Sequence, residues 1–367
     1  MNQNSTKKAP LRLPVITIVF LGILLFSIAV YVVSLLSPAF SDFFNAYPGA
    51  AIRALLAMVT YILPFSLAEV LLICLPLIIG LIAFLAYKKH CRSLRDATVF
   101  VISLLAALSM LFSLFVLAFG CGYHGATLDK KMGLEKKPVA VDELEATAHW
   151  LAGEVNSLIP QIEFNEDGSS RMPYSVWEMN KRLMKAYSSA ADKYSFIQRL
   201  YSRVKPVMLS EAMSYTHITG VYSYFTGEAN INVNFPDYTL PYTAAHELAH
   251  QRGISREDEA NFVAFLVCAE SDDPYIRYSG YLNLYEYVAS ALSPAREAYG
   301  RVYATLDPQM IGEMRAYSVF FNKYRESTAG KVSEKVNNSF LQAQGTIGTK
   351  SYGMVVDLAV AYKKDLS

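Results

Sequence analysis

The sequence predicts N-terminal transmembrane α-helices followed by an α+β, mostly helical globular domain. Three observations predict this class. Apolar runs long enough to cross a bilayer are confined to the first ~120 of the 367 residues. The rest of the chain carries apolar residues at helical spacing over most of its length. One short segment, Ala229 to Phe235, alternates between apolar and polar as a half-buried strand does. The expected division is a membrane domain over 1–120 and a globular domain over 121–367, the latter long enough to bury a core of its own.

A helix needs about 20 residues to cross the hydrocarbon. Three runs satisfy this: Pro14 to Leu36, a run within Phe65 to Tyr87, and Ala97 to Phe119. Ala50 to Leu63 is also apolar, but it contains Arg53 and is closed by Pro64, so it reads as an interfacial or re-entrant helix. The first run is longer than the apolar core of a cleaved signal peptide, and two spans follow it, so an uncleaved anchor is expected. Lys7, Lys8 and Arg12 precede the first span, and Lys88, Lys89, Arg92 and Arg95 lie between the second and third. The positive-inside rule puts both clusters in the cytoplasm and everything after Gly120 outside. The spans hold almost no ionisable residue, which argues for helices that only tether the domain and against a transport path. Glu69, near the start of the second span, is expected at the interface.

Net charge is +1, and the globular part has no basic block, which excludes nucleic acid as a partner. The four cysteines lack CxxC spacing, which excludes a cysteine zinc site. Cys74 reads as a packing residue. Cys121 and Cys268 either pair or stand as free thiols. Val141 to Leu158 is helical, with Leu144, Ala148, Leu151, Val155 and Leu158 on one face. Ser175 to Tyr201 is a second helix with Ser175 as N-cap. Met213 to Phe225 reads as strand and Gly227 as a turn. In the next strand Ala229, Ile231, Val233 and Phe235 point one way, and Asn230, Asn232 and Asn234 the other. Thr243 to Gln251 is helix, broken at Gly253. Ser255, paired with Asp258 in a capping-box pattern, starts a helix to Ala269. From Asp273 the chain is mostly helical, with turns at Pro294 and Pro308 and a loop near Gly345 and Gly348.

His246 and His250 are four residues apart on the first of these helices, so both imidazoles leave one face. Two neutral imidazoles so placed fill two corners of a tetrahedral zinc ion. Glu247 stands beside them as a general base for a water acidified by that ion. His246-Glu247-Leu248-Ala249-His250 is thus an HExxH motif. Chance supplies such a string in on the order of one in a hundred chains of this length, so context must add to it. It does: the motif lies on a helix, after an alternating strand and before a helix that opens with acids. A catalytic zinc wants a third protein ligand and an open fourth position. The run His246 to Arg256 nearly fits HExxHxxGxxH, with Gly253 in register. Its last position is Arg256, whose guanidinium cannot bind zinc, and that pattern fails there. Glu257, Asp258 and Glu259 remain.

The run Arg256-Glu257-Asp258-Glu259-Ala260-Asn261-Phe262-Val263-Ala264 resembles the E-x-x-A-D/N element on the second zinc helix of gluzincins. The resemblance implies Glu257, ahead of Glu259, as third ligand. Asn261 stands where that element more often has Asp; it either bonds a zinc histidine from behind or is a surface or capping amide. The chain as a whole resembles a bacterial family of unknown function, membrane-anchored gluzincin-like zinc metallopeptidases with two or three N-terminal spans. Phe225 to Asn232, His246 to Cys268, Ser351-Tyr352-Gly353 and Val355 to Leu358 carry the likeness. It implies a zincin-like, peptidase-like fold with Zn2+ as cofactor and an unknown substrate; a peptide or protein substrate and an integral place in the bacterial cell membrane are the expectations set beside it. By the same analogy, Ala229 to Phe235 would be the cleft-edge strand that pairs with substrate.

The other candidates read as structural. His217 is expected to be hydrogen-bonded within the fold, His149 structural or superficial, and His124 a linker residue. Tyr275, Tyr278, Tyr281, Tyr285 and Tyr287 have the spacing of a packed aromatic face, and none is singled out as an oxyanion donor. The leading expectation is a zinc metalloprotease with His246, His250 and Glu257 on the metal and Glu247 as base, bound to the lipid bilayer. A catalytically silent zinc sensor or scaffold is the alternative.

Overall fold

In the computed structural model, residues 11–90 and 93–366 are described. Lys7, Lys8, Cys91 and Arg92 lie outside them, as do the side chains of Lys89 and Tyr352. The membrane half runs α1 (Val15–Leu36), α2 (Pro38–Phe44), α3 (Ala50–Tyr61), α4 (Leu67–Leu85) and α5 (Leu94–Ala118). Helices α1, α4 and α5 are long and apolar enough to cross a membrane and fall on the three expected runs. Ser66 and Ser93 cap α4 and α5 by accepting from the amides of Glu69 and Asp96.

Helices α1 and α5 pack side by side and parallel. Thr17 meets Ser103 at 2.8 Å, Ser27 meets Ser113 at 3.0 Å, and Ser34 donates to Cys121 Sγ at 3.3 Å. Small polar pairs of this kind let apolar helices approach closely. Arg12, Lys88 and Arg95 therefore lie at one end of the spans, with the globular domain at the other. Helix α3 buries Arg53, Ala57 and Thr60 and exposes Leu55, Met58, Val59 and the following Ile62. That apolar outer face suits an interfacial helix.

The spans do more than tether, which corrects the sequence reading. Arg53 is 1% exposed. Its guanidinium donates to Asn45 Oδ1, the Asn45 carbonyl and the Ala118 carbonyl, each at 2.8 Å, and to Gln198 Oε1 at 3.2 Å. The Arg252 carbonyl lies at 3.5 Å. Glu228 accepts from the Leu67 and Ala68 amides at the start of α4, and buried Lys205 donates to it at 2.5 Å. Glu69, near the start of the second span, is buried and accepts from the Met208 and Leu209 amides at 2.8 Å.

The globular half continues as α6 (Leu128–Met132), α7 (Val141–Leu158), α8 (Val176–Lys193), β1 (Val204–Pro206), α9 (Ser210–Ser214), β2 (Gly220–Ser223) and β3 (Glu228–Ile231). Then follow α10 (Thr239–Gln251), α11 (Glu257–Ala269), α12 (Pro274–Leu292), α13 (Arg296–Tyr303), α14 (Pro308–Asn322), α15 (Thr328–Ala343) and α16 (Val355–Asp365). It is mostly helical, with a small open sheet of order β1-β3-β2. β3 is central, parallel to β1 and antiparallel to β2. Helix α10 lies against β3, while α7, α8, α11, α12 and α16 enclose a core that includes Leu151, Leu183, Leu248, Phe262 and Leu282.

Several element expectations are corrected. The strand expected over Met213 to Phe225 shrinks to β2, because α9 occupies its first residues. The helix expected to reach Tyr201 stops at Lys193; the chain then turns, with the Ile197 amide on the Tyr194 carbonyl, and Arg252 takes the Leu200 carbonyl at 2.6 Å. β3 ends at Ile231. Its asparagine face is buried, with Asn232 Nδ2 donating to Ser214 Oγ and the Ile218 carbonyl. β3 is central and so is not the sheet edge that the analogy made it; β1 and β2 are the two outer strands. Ser255 does not cap α11, since its hydroxyl donates to the Phe119 carbonyl at 2.8 Å and Arg256 is the N-cap. Cys121 and Cys268 are buried free thiols.

Arg53→Met would strand the Ala118 and Arg252 carbonyls in a buried place. It is expected to cost about 3 kcal/mol or more, read as a lowered thermal midpoint of the detergent-solubilised full chain. An unchanged midpoint would show that these bonds contribute nothing.

Candidate metal centre

Helix α10 carries His246, Glu247 and His250, and its end sets the geometry. Gly253 has φ of +91°, a left-handed conformation that glycine adopts without strain. The Gly253 amide bonds to the His250 carbonyl and the Ile254 amide to the Ala249 carbonyl, a Schellman-type closure. A Cβ on Gly253 would also lie 2.4 Å from Arg53 Nη2. The reversal brings Glu257, in the first turn of α11, back over the two histidines across only six intervening residues, Gln251 to Arg256.

His246, Glu247, His250 and Glu257 are between 5% and 9% exposed. Glu257 Oε2 lies 3.2 Å from His246 Nε2 and 3.3 Å from His250 Nε2. One donor atom from each of the three falls within 4.8 Å of the others. A tetrahedral ion with bonds of about 2.0–2.1 Å holds its ligands roughly 3.3 Å apart, which is the spacing seen. Glu257 Oε2 has no partner besides these two imidazole nitrogens, and a cation bound by all three would satisfy this buried oxygen. His250 Nδ1 lies 2.7 Å from the Ile254 carbonyl, which fixes it as the N–H and leaves Nε2 as the acceptor. The cluster matches the geometry of a gluzincin HExxH zinc site.

Electrostatics describe a nest for positive charge. Burial disfavours a charged His250, yet Glu257 beside it and Glu247 raise its pKa to about 9. Burial and the neighbouring His250 hold His246 below its ordinary value. Burial would raise Glu257, but His250 and His246 outweigh it and hold the carboxyl well below the usual carboxylate range. Burial pushes Glu247 up to about 8, with Glu257 adding to the rise and His250 and the Tyr222 backbone amide opposing it. Glu247 rests against β2, where a Cβ on Gly220 would come within 2.6 Å of its Oε1.

Glu259 points elsewhere. It accepts from the Leu128 amide at 2.9 Å and faces Arg256 at 3.6 Å. Asn261 is buried within reach of the His246 ring and donates to Tyr287 Oη at 3.3 Å, so the surface-amide reading is set aside. Of the five tyrosines, Tyr287 alone stands beside the cluster, with its pKa raised by burial and by Glu257. Tyr275 bonds Ser170 and Tyr278 bonds Glu313, while Tyr281 packs on Trp150. His217 lies 2.8 Å from the Tyr324 carbonyl, a structural place. His149 is a partly exposed neighbour of Glu145. His124 packs edge-on against Tyr31 and is more than a linker.

Sequence reasoning missed Phe119 and Gly220. Phe119 follows α5, and its ring meets His250 edge-on at 5.5 Å. Nothing in an apolar span end signals that contact. Gly220 had no motif around it, though a glycine opening a strand is a cue to a close approach.

Purified full chain is expected to hold about one zinc, lost in His246→Ala and in Glu257→Ala but kept in Glu259→Gln, by metal analysis. Zinc lost in Glu259→Gln and kept in Glu257→Ala would reverse the assignment.

No curated protein and no solved structure matches the chain. Residues 45–360 match the model of the family described as "Protein of unknown function (DUF3810)", and the chain belongs to that family.

Proposed function

We propose that this protein is a membrane-anchored zinc-dependent metallopeptidase. The observation that carries the reading is the convergence of His246, His250 and Glu257 on one point, with the Glu247 carboxylate on the same helix. His246, His250 and Glu257 would hold the ion. When bound, zinc supplies an acidified water and a Lewis acid for the scissile carbonyl.

The chain's own residues do the rest. Glu247 takes a proton from the attacking water and passes it to the leaving nitrogen. Its high pKa reflects burial, and the added positive charge of an ion would favour its ionised form. The Ile254 carbonyl holds the His250 tautomer, while buried Asn261 stands near the His246 ring and donates to Tyr287. β2, one of the two outer strands of the sheet, is the segment beside Glu247 on which an extended peptide would add as a further strand.

The bulk of the chain after Gly120 would lie outside the cytoplasm. Arg12, Lys88 and Arg95, at the opposite end of the spans, support that sidedness. The burial of all four site residues favours a second reading, a zinc-binding sensor without turnover.

Glu247→Gln separates the two. It is expected to leave zinc content unchanged and lower peptide cleavage by about 100-fold or more, measured on the full chain with a peptide library read by mass spectrometry. Cleavage equal to the parent would remove Glu247 as base. A zinc-loaded parent that cuts nothing would leave the sensor.

A further inference from the structure

The three spans give three independent rulers for the bilayer surface. Hydrocarbon about 30 Å thick is crossed by about 20 helical residues at 1.5 Å each. Counted from Val15, about 20 residues of α1 reach Ser34. Counted from Ala97, past Arg95 and Asp96, they reach Val116 in α5. Counted back from Ala86, before Tyr87 and Lys88, they reach Leu67 at the start of α4. The surface thus passes near Ser34, Leu67 and Val116.

The candidate centre is bonded to that same level. Phe119, within about 5 Å of the hydrocarbon edge by this count, touches the His250 ring. The Leu67 and Ala68 amides bond directly to Glu228, the first residue of β3. Beyond β2, the Tyr224 ring meets Phe115 at 5.3 Å, and Phe115 lies inside the span. Val221 on β2 is 44% exposed.

Apolar residues open to the surroundings flank this level on both sides. On α3 they are Leu55, Met58, Val59 and the adjoining Ile62. On α15, Val332 and Val336 are exposed one turn apart, and Phe340 one turn further on meets both Phe115 and Tyr123. Such faces suit the acyl–headgroup boundary and not open water.

We infer that the substrate is a polypeptide already seated in the bilayer, cut within a few residues of the end of its own membrane span. The inference rests on the peptidase reading above and adds its substrate class. A free peptide must leave water to reach a centre at headgroup depth, whereas a segment that emerges from a neighbouring span is delivered there.

The test uses the full chain, loaded with zinc, in lipid nanodiscs. The probe is a single polyleucine span followed by a short randomised segment, read by mass spectrometry. In one form the segment follows the span directly. In a second, about 20 residues of Glu-Ala-Ala-Ala-Lys repeats raise it by roughly 30 Å. In a third it is free in solution. The direct form is expected to be cut about tenfold faster or more than either other form. Equal rates, or faster cleavage of the free segment, overturn the inference.

Depth is read separately from Val221→Trp, with Trp150→Phe and Trp177→Phe, by quenching with lipids brominated at shallow acyl positions. Strong quenching is expected, and none would overturn the placement even if peptides are cut. Strong quenching with no probe cut would instead defeat the peptidase reading and the substrate class with it.

Discussion

Two helix ends point their carbonyls at the Arg53 guanidinium. It takes the Ala118 carbonyl at the end of α5 and the Arg252 carbonyl just beyond α10, together with the Asn45 carbonyl from the π-helical turn that joins α2 to α3. No carboxylate pairs with this buried charge among its hydrogen-bond partners. The negative ends of the helix dipoles, with the Asn45 and Gln198 side-chain oxygens, compensate for its lost hydration. The consequence is positional. The last turn of the histidine helix and the end of the third span are fixed to one planar group, and Phe119 is thereby set against His250. Gly253 serves the same point twice, by turning the chain and by leaving room for Arg53.

From that junction the rest follows in order. The reversal at Gly253 is tight enough to return Glu257 to the histidines with a short connection. The Ile254 carbonyl, exposed by the same reversal, takes His250 Nδ1. The sheet is held from the other side, where Glu228 accepts from the start of α4 and Lys205 completes the pair. Span ends, sheet and histidine helix therefore form one connected unit. Burying two imidazoles and two carboxylates together is costly without a cation, and the high pKa of His250 beside the low pKa of Glu257 expresses that demand.

Much of this was legible in the sequence, because its signals were local. Span lengths, the Ser175 cap of α8, the helix break at Gly253 and the four-residue histidine spacing all act within a turn or two of chain. The asparagine alternation was read correctly as a pattern and wrongly as a surface. Nothing local says that a second loop covers Asn232, or that β1 and β2 flank β3. Ser255 shows the same limit: its sequence pattern suits a cap, but a distant carbonyl at Phe119 takes the hydroxyl instead. The contribution of the membrane half to the site was hidden for the same reason. Arg53 and Glu69 read only as interfacial charges until their partners, at Arg252 and at Met208 and Leu209, show that they also join the two halves.

X-ray absorption at the zinc edge on the purified full chain reads the ligand set itself. One zinc per chain is expected, with two imidazole nitrogens at about 2.0–2.1 Å and a carboxylate oxygen at about 2.0–2.2 Å. A folded chain that holds no zinc, or a zinc surrounded by sulfur or by oxygen alone, would contradict it.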